Sequence, residues 1–222
     1  MQESLEIRQA TVQDLPAIAE VFLAAFPESV EHYVGHPIGP QVMADVFAIC
    51  LEAEPRALLV GTVEGVVSGY VFAPRRLSRV FRVAVFRGHI FRLLLRWLTF
   101  RYGIGLRPAV VAVRNWLALW HESRQPELHS DARIFSVAVR PDLQGQGLGG
   151  QLVAKAVEYL ESLGAHLIRL EVRPGNEPAI RIYERVGFVQ RGTTRDTQGE
   201  WLIMLRDLRT AGGAPSEETD HA

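Results

Sequence analysis

The stretch SVAVRPDLQGQGLGGQLV, from Ser136 to Val153, carries the strongest structural signal in the chain. An apolar run ending at Val139 predicts a strand, and the apolar periodicity after Gly147 predicts a helix, so a glycine-rich loop joins the two. The glycines leave backbone N–H groups uncovered where the helix begins, and its partial positive charge favours an anion there. The loop therefore predicts a diphosphate cradle. Its residues are Gln144, Gly145, Gln146, Gly147, Leu148, Gly149 and Gly150.

Two nucleotide-binding alternatives compete for the same loop. Gly145, Gly147 and Gly150 spell GxGxxG, and Glu171 lies near the spacing of a ribose-binding acid. Residues 140–144, however, separate the strand from the first glycine, and little chain follows Glu171 to complete a doubly wound sheet. A nucleotide P-loop would need GK[ST], which is missing from this loop. Both alternatives are disfavoured.

A second motif lies downstream, NEPAIRIYERVGF, from Asn176 to Phe188. With the loop, it resembles the GNAT superfamily of N-acetyltransferases, in which the cradle pattern [RQ]xxGx[GA] is matched by Gln144, Gly147 and Gly149. The pattern Asn-x-x-Ala-x-x-x-Tyr-x-x-x-Gly-Phe is matched at Asn176, Ala179, Tyr183, Gly187 and Phe188. Among subgroups, the ribosomal-protein alanine N-acetyltransferases are the most similar in motif. The resemblance covers residues 134–205 well and the arginine-rich segment before them poorly.

This resemblance implies that acetyl-CoA is the co-substrate, and it implies a role for each of the predicted residues. Main-chain groups along Val137, Ala138 and Val139 would pair with the pantetheine arm, and the N–H groups of residues 145–150 would hold the pyrophosphate. Asn176 would reach the CoA arm, although an asparagine there is equally an N-cap for the following helix. The acceptor would be an amine, on a peptide or a small molecule.

Two residues are candidates for catalysis. The Tyr183 phenol is protonated at neutral pH and would donate to the departing thiolate, whereas a tyrosine outside such a motif is more often a packed core residue. Glu171 alternates with Leu170 and Val172, so it faces away from them, and the resemblance implies that it draws a proton from the amine. Its alternative role is an ion pair with Arg169, Arg173 or Arg181.

The remaining patterns predict an α/β (α+β) fold with a mixed, mostly antiparallel sheet flanked by helices. We expect a first strand at residues 5–8, a helix opened by a Thr11/Asp14 capping box and running to Phe26, and a helix over residues 41–53. A hairpin turning at Glu64-Gly65 follows. Strands are then expected at residues 134–139, 166–172, 188–194 and 200–205, and helices at residues 147–163 and 177–186. The sheet would splay between residues 134–139 and 166–172, and the cofactor would enter the split.

An arginine-rich insertion at about residues 74–130 precedes the cofactor-binding strand. Residues 65–121 contain no Asp or Glu and ten arginines. We expect two helices interrupted near residues 103–108. Three roles are open: a lid over an anionic substrate, a membrane-surface helix, or packed helices that cover the sheet or a second subunit. The apolar circumference of residues 90–100 favours burial, so membrane contact is the less favoured role and a homodimer stays open.

Composition limits the remaining choices. The chain has 222 residues, a formal net charge of −1 and a single cysteine, Cys50. This predicts one domain over residues 1–209 with a disordered tail at 210–222, a reducing cytoplasmic setting, no CxxC metal site and no nucleic-acid partner. The leading hypothesis is an acetyl-CoA-dependent N-acetyltransferase. A catalytically silent CoA-binding regulatory module is the alternative.

Overall fold

The structure of the protein is a computed structural model that describes residues 5–99, 101–105 and 130–209. Its strands are β1 (Leu5–Gln9), β2 (Leu58–Val63), β3 (Val66–Phe72), β4 (Ala132–Arg133), β5 (Ser136–Val139), β6 (Leu167–Val172), β7 (Val189–Asp196) and β8 (Gly199–Asp207). Its α-helices are α1 (Leu15–Ala25), α2 (Pro27–Tyr33), α3 (Gln41–Ala53), α4 (Leu77–Phe86), α5 (His89–Leu98), α6 (Leu148–Ser162) and α7 (Glu177–Arg185).

The strands form two four-stranded sheets, in the orders β1-β2-β3-β5 and β4-β6-β8-β7. Every pairing is antiparallel except that of β4 with β6, which is parallel. The predicted mixed, mostly antiparallel sheet flanked by helices is therefore confirmed.

The chain changes sheets between two consecutive residues. The Ile134 N–H donates to the Arg169 carbonyl in the second sheet, at 2.9 Å, and the Phe135 N–H donates to the Phe72 carbonyl in the first sheet, also at 2.9 Å. The single strand predicted over residues 134–139 is thus wrong at its start, since β4 and β5 are separate. The predicted splay lies at this crossing.

Helix α6 packs in the core beneath the crossing. Its buried face consists of Leu148, Leu152, Val153, Ala156, Val157 and Leu160, at helical spacing. Gly61 of β2 allows the close approach, because a Cβ there would come within 2.5 Å of the Leu148 Cδ1 atom. A second cluster, around Tyr70 and Phe72, buries the inner faces of α1 and α3. The glycine loop is thereby fixed to a rigid helix.

Local signals predicted several of these elements. The capping box between Thr11 and Asp14 is present, although a 3-10 turn precedes α1. Helix α3 has the predicted bounds and the hairpin turns at Glu64-Gly65. Helix α2 was not predicted.

The described part of the insertion is helical, as predicted, but its first break lies at Arg87-Gly88, where Gly88 adopts a φ of 72°. The rest of the insertion and the predicted tail lie outside the described residues. None of the described helices is long and apolar enough to cross a membrane.

Candidate active site

Strand β5 presents one edge to which no described strand pairs. The Arg140 N–H donates to the Ser68 carbonyl at 2.9 Å, and Val139 lies opposite Gly69. Hydrogen-bonded and non-hydrogen-bonded pairs alternate in an antiparallel ladder, so the N–H and C=O groups of Val137 and Val139 point away from β3. Those of Ala138 point toward it. An extended ligand could therefore add to this edge through Val137 and Val139.

The loop after β5 is exposed and shaped by two glycines. Gly145 and Gly147 have φ angles of 83° and 87°, which residues with a Cβ rarely adopt. A Cβ at either position would meet nothing within 4 Å, so the space above the loop is open. Gln144 fixes the loop to the strand, because its Nε2 donates to the Val139 carbonyl at 3.2 Å.

The loop leads into the first turn of α6. The N–H groups of this turn have no hydrogen-bond partner within the helix. Gly149 and Gly150 lie in that turn, and a Cβ on Gly149 would meet Ile182 at 3.5 Å and Val139 at 3.7 Å. Leu148 points its side chain into the core, so it could serve a ligand only through its main chain. The open loop, the unpaired N–H groups and the partial positive charge are together suited to an anion such as a diphosphate.

Helix α7 lies against this first turn and carries the second motif. Asn176 caps it, accepting the Ala179 N–H at 3.2 Å, as the N-cap reading predicts. Tyr183 is 7 % exposed and shares a hydrophobic cluster with Val139 and Leu148. Its ring meets that of Phe188 edge-on at 6.2 Å.

The buried surroundings of Tyr183 determine the protonation state of its hydroxyl. Burial raises its pKa to about 12. No described residue hydrogen-bonds it, yet no fully buried side-chain oxygen in the described ranges lacks a partner, so this oxygen reaches the surface. Tyr183 therefore presents a protonated, unengaged hydroxyl at the edge of the core.

Glu171 lies at the end of β6, facing away from buried Leu170 and Val172 as predicted. Its Oε1 accepts hydrogen bonds from Arg133 and, at 3.0 Å from Nε, from Arg169. Among the described residues none binds Oε2. Of the predicted ion-pair partners, the structure shows Arg169. Arg133, which the sequence patterns did not indicate, lies on β4, the strand that pairs with β6.

Two polar residues on either side of the strand crossing have structural roles. Ser136 hydrogen-bonds Tyr70 at 2.7 Å, and Asp131 accepts the N–H groups of His166 and Leu167 at 2.8 and 2.7 Å. In the described ranges no group of His, Cys, Asp and Glu could hold a metal.

The sequence model of the Acetyltransferase (GNAT) family matches residues 109–188. Over this range the chain is similar to GNAT acetyltransferases. The matched range includes the strand crossing, the cradle and the second motif.

Individual relatives match part of the chain. The uncharacterized N-acetyltransferase MJ1207 of Methanocaldococcus jannaschii is 32% identical over 94 residues, 42% of this chain and 37% of that protein. The ribosomal protein bS18-alanine N-acetyltransferase of Escherichia coli is 45% identical over 58 residues, 26% of this chain and 39% of that protein. The matches span less than two fifths of either relative.

A solved structure extends the fold comparison to nearly the whole chain. That of yncA from Salmonella typhimurium with its cofactor acetyl-CoA aligns with a TM-score of 0.55 and 19% identity, over 98% of this chain and 99% of that chain. The chain thus shares the fold of that solved structure.

Proposed function

We propose that the protein is an N-acetyltransferase that moves the acetyl group of acetyl-CoA to a primary amine, on a protein N-terminus or a small molecule. The observation that carries this proposal is the junction of the open β5 edge, the glycine cradle and the Tyr183 hydroxyl, to which no described residue hydrogen-bonds. CoA has a matching order of groups: a diphosphate for the helix N-terminus, and an arm with two amides for Val137 and Val139. Asn176, the N-cap of α7, is the proposed contact of this arm on the second motif.

The reaction is direct aminolysis. The amine nitrogen attacks the thioester carbonyl, a C–N bond forms, and the C–S bond breaks. The Tyr183 hydroxyl donates to the departing sulfur. Because burial raises the pKa of this phenol to about 12, well above the ~8.5 of a thiol, its main contribution is a hydrogen bond to the thiolate. The proton lost by the amine balances the one gained by the thiol.

Glu171 is the proposed acceptor of the amine proton. Arg133 and Arg169 hold its Oε1, so the carboxylate is fixed in orientation and Oε2 remains to face an amine. An α-amine, with an ordinary pKa near 8, is partly neutral at physiological pH, whereas an alkylamine near 10.4 is almost fully charged. The help of Glu171 therefore matters more for alkylamines.

The replacement of Tyr183 by Phe tests the proposal. Thiol release from acetyl-CoA, measured across a panel of peptides and small amines, should show kcat reduced by about 10²- to 10⁴-fold in Tyr183→Phe. The Kd for CoA should change little, since the ring and its packing are kept. Unchanged turnover would remove Tyr183 from the mechanism. CoA binding without thiol release in the parent, for every amine tried, would favour the silent regulatory module.

Glu171→Gln addresses the base. We expect kcat/KM to fall by about 10²-fold for an alkylamine and less for a peptide α-amine. Glu177→Gln is the matched control, because Glu177 is also paired with an arginine, Arg181, but on the exposed side of α7. Equal, small effects of both variants on both amines would contradict a base role for Glu171.

A further inference from the structure

Helix α5 turns its charged side toward the protein. His89 is buried and its Nε2 lies 2.7 Å from Glu52 of α3, while Arg96 pairs with Asp45 of the same helix. The Tyr102 hydroxyl also donates to Asp45, at 2.6 Å. These contacts fix the rotation of α5 about its own axis.

The opposite side of α5 is consequently apolar and faces outward. Its exposed residues recur at helical spacing, and Phe91 is 72% exposed. Helix α4 continues the surface, with Phe86 at 83%. We call this surface the apolar face; it consists of Phe81, Val85, Phe86, Ile90, Phe91, Leu94, Leu95 and Leu98.

This arrangement is the reverse of an ordinary surface helix, which buries its apolar stripe. The described part of this chain does not cover that side of α5, so the expected burial against a neighbouring element is not seen there, and burial against a second subunit stays a prediction. Large contiguous apolar surfaces mark sites of protein or membrane contact. Since specific ion pairs hold the charged side inward, the outward apolar side is a built feature of the fold.

The charge of the residues around the apolar face indicates which kind of partner it fits. Exposed arginines border it, and residues 65–121 contain no acidic side chain. Arginines beside aromatic and aliphatic side chains match an interface of anionic headgroups above acyl chains. A second copy placed on the same face would bring two arginine-rich segments together, and residues 65–121 supply no acidic partner for them. The bordering arginines are exposed arginines of α4 and of the segments that flank α4 and α5; they are Arg75, Arg76, Arg79, Arg82 and Arg101.

We propose that α4 and α5 dock the protein on a membrane surface that contains anionic phospholipid. The two helices lie in the plane of the interface, the apolar face enters the region between headgroups and acyl chains, and the bordering arginines contact lipid phosphates. The proposal is independent of acetyl transfer.

Vesicle flotation with the full chain tests the apolar contribution. The protein should float with vesicles of phosphatidylcholine and phosphatidylglycerol at low salt. Phe86→Ser combined with Phe91→Ser should weaken binding at least about tenfold, because both rings leave water on docking. Val85→Ser and Val66→Ser form a matched pair, since these valines are 54% and 55% exposed, but only Val85 belongs to the apolar face. Only Val85→Ser should weaken binding.

Separate variants test the contribution of the arginines to vesicle binding. Arg82→Gln should weaken binding about fivefold, whereas Arg191→Gln, on β7, should not. Vesicles of phosphatidylcholine alone, or high salt, should reduce binding of the parent. Folding of each variant is checked by circular dichroism.

Three outcomes would overturn the proposal. One is failure of the parent to bind anionic vesicles at low salt. Another is binding that the Phe86→Ser, Phe91→Ser double variant leaves intact. The third is a dimer in sedimentation velocity that this double variant abolishes while vesicles bind nothing, which would make the apolar face a subunit interface.

Discussion

Asp14 shows how much a single side chain contributes at the start of α1. Both carboxylate oxygens accept hydrogen bonds from Arg8, each at 2.7 Å, and Oδ2 also accepts the Thr11 N–H at 2.8 Å. The Arg8 guanidinium, aided by Thr11, holds the pKa of Asp14 well below the ordinary 3.8 although burial opposes this. The ionised form therefore stabilises the folded state.

We expect Asp14→Asn to lower the free energy of unfolding at neutral pH by about 2 kcal/mol, as measured by urea titration. The folded-state pKa is lowered, so this contribution is present above 3.8 and is lost as the pH falls toward the folded value. The difference between parent and variant should shrink on acidification. Asp142→Asn is the control, because the Arg140–Asp142 pair is exposed and should contribute little. A similar loss in both variants would contradict the role given to burial.

At the scale of elements, a comparison of two glycines can distinguish the effect of backbone strain from the effect on ligand binding. Gly147 has a φ of 87° with open space around its missing Cβ, and Gly65, in the β2–β3 turn, has a φ of 79° with equally open space. Alanine should cost about 1–2 kcal/mol of stability at either position, because both backbones are left-handed.

Only Gly147→Ala should affect CoA binding, since its new methyl group would occupy the proposed position of the diphosphate. We expect the Kd for CoA, measured by calorimetry, to rise at least about tenfold in Gly147→Ala and to stay unchanged in Gly65→Ala. If both variants bind CoA like the parent, the diphosphate does not lie over Gly147.

The sequence could predict those elements that are bounded by local chemistry. Pro55 and the Glu64-Gly65 turn set the ends of α3 and β2. The glycine-rich loop and the motif that begins at Asn176 indicated the position of the candidate site. The sequence could not predict the sheet crossing, because Ile134 and Phe135 belong to one apolar run and their partners, Arg169 and Phe72, are distant in the chain. The orientation of α5 was likewise hidden, since Glu52 and Asp45 determine it from another helix.

At the scale of the whole molecule, the crossing explains why β5 has an open edge. The chain bonds to β6 through Ile134 and to β3 through Phe135, so β5 continues the first sheet and does not pair with β6. The edge of β5 that faces away from β3 is therefore unpaired among the described strands, and β5 leads into the glycine loop. A ligand that spans this edge and the loop would contact β5 and the first turn of α6 together.

Hydrogen exchange can detect such a ligand at single residues. The alternation of the ladder directs the N–H groups of Val137 and Val139 to the open edge, and that of Ala138 to β3. With CoA at about 100 times its Kd, exchange at Val137 and Val139 should slow by up to about 100-fold, because opening then requires release of the ligand. Ala138 should change far less, and the N–H groups of residues 145–150 should be protected together with the strand edge. Equal protection of all three strand residues would indicate general stabilisation, and protection of the loop alone would mean that the arm of CoA does not pair with β5. The Gly147→Ala variant, measured at the same CoA concentration, should lose protection at the loop and at the edge in parallel if one ligand binds both.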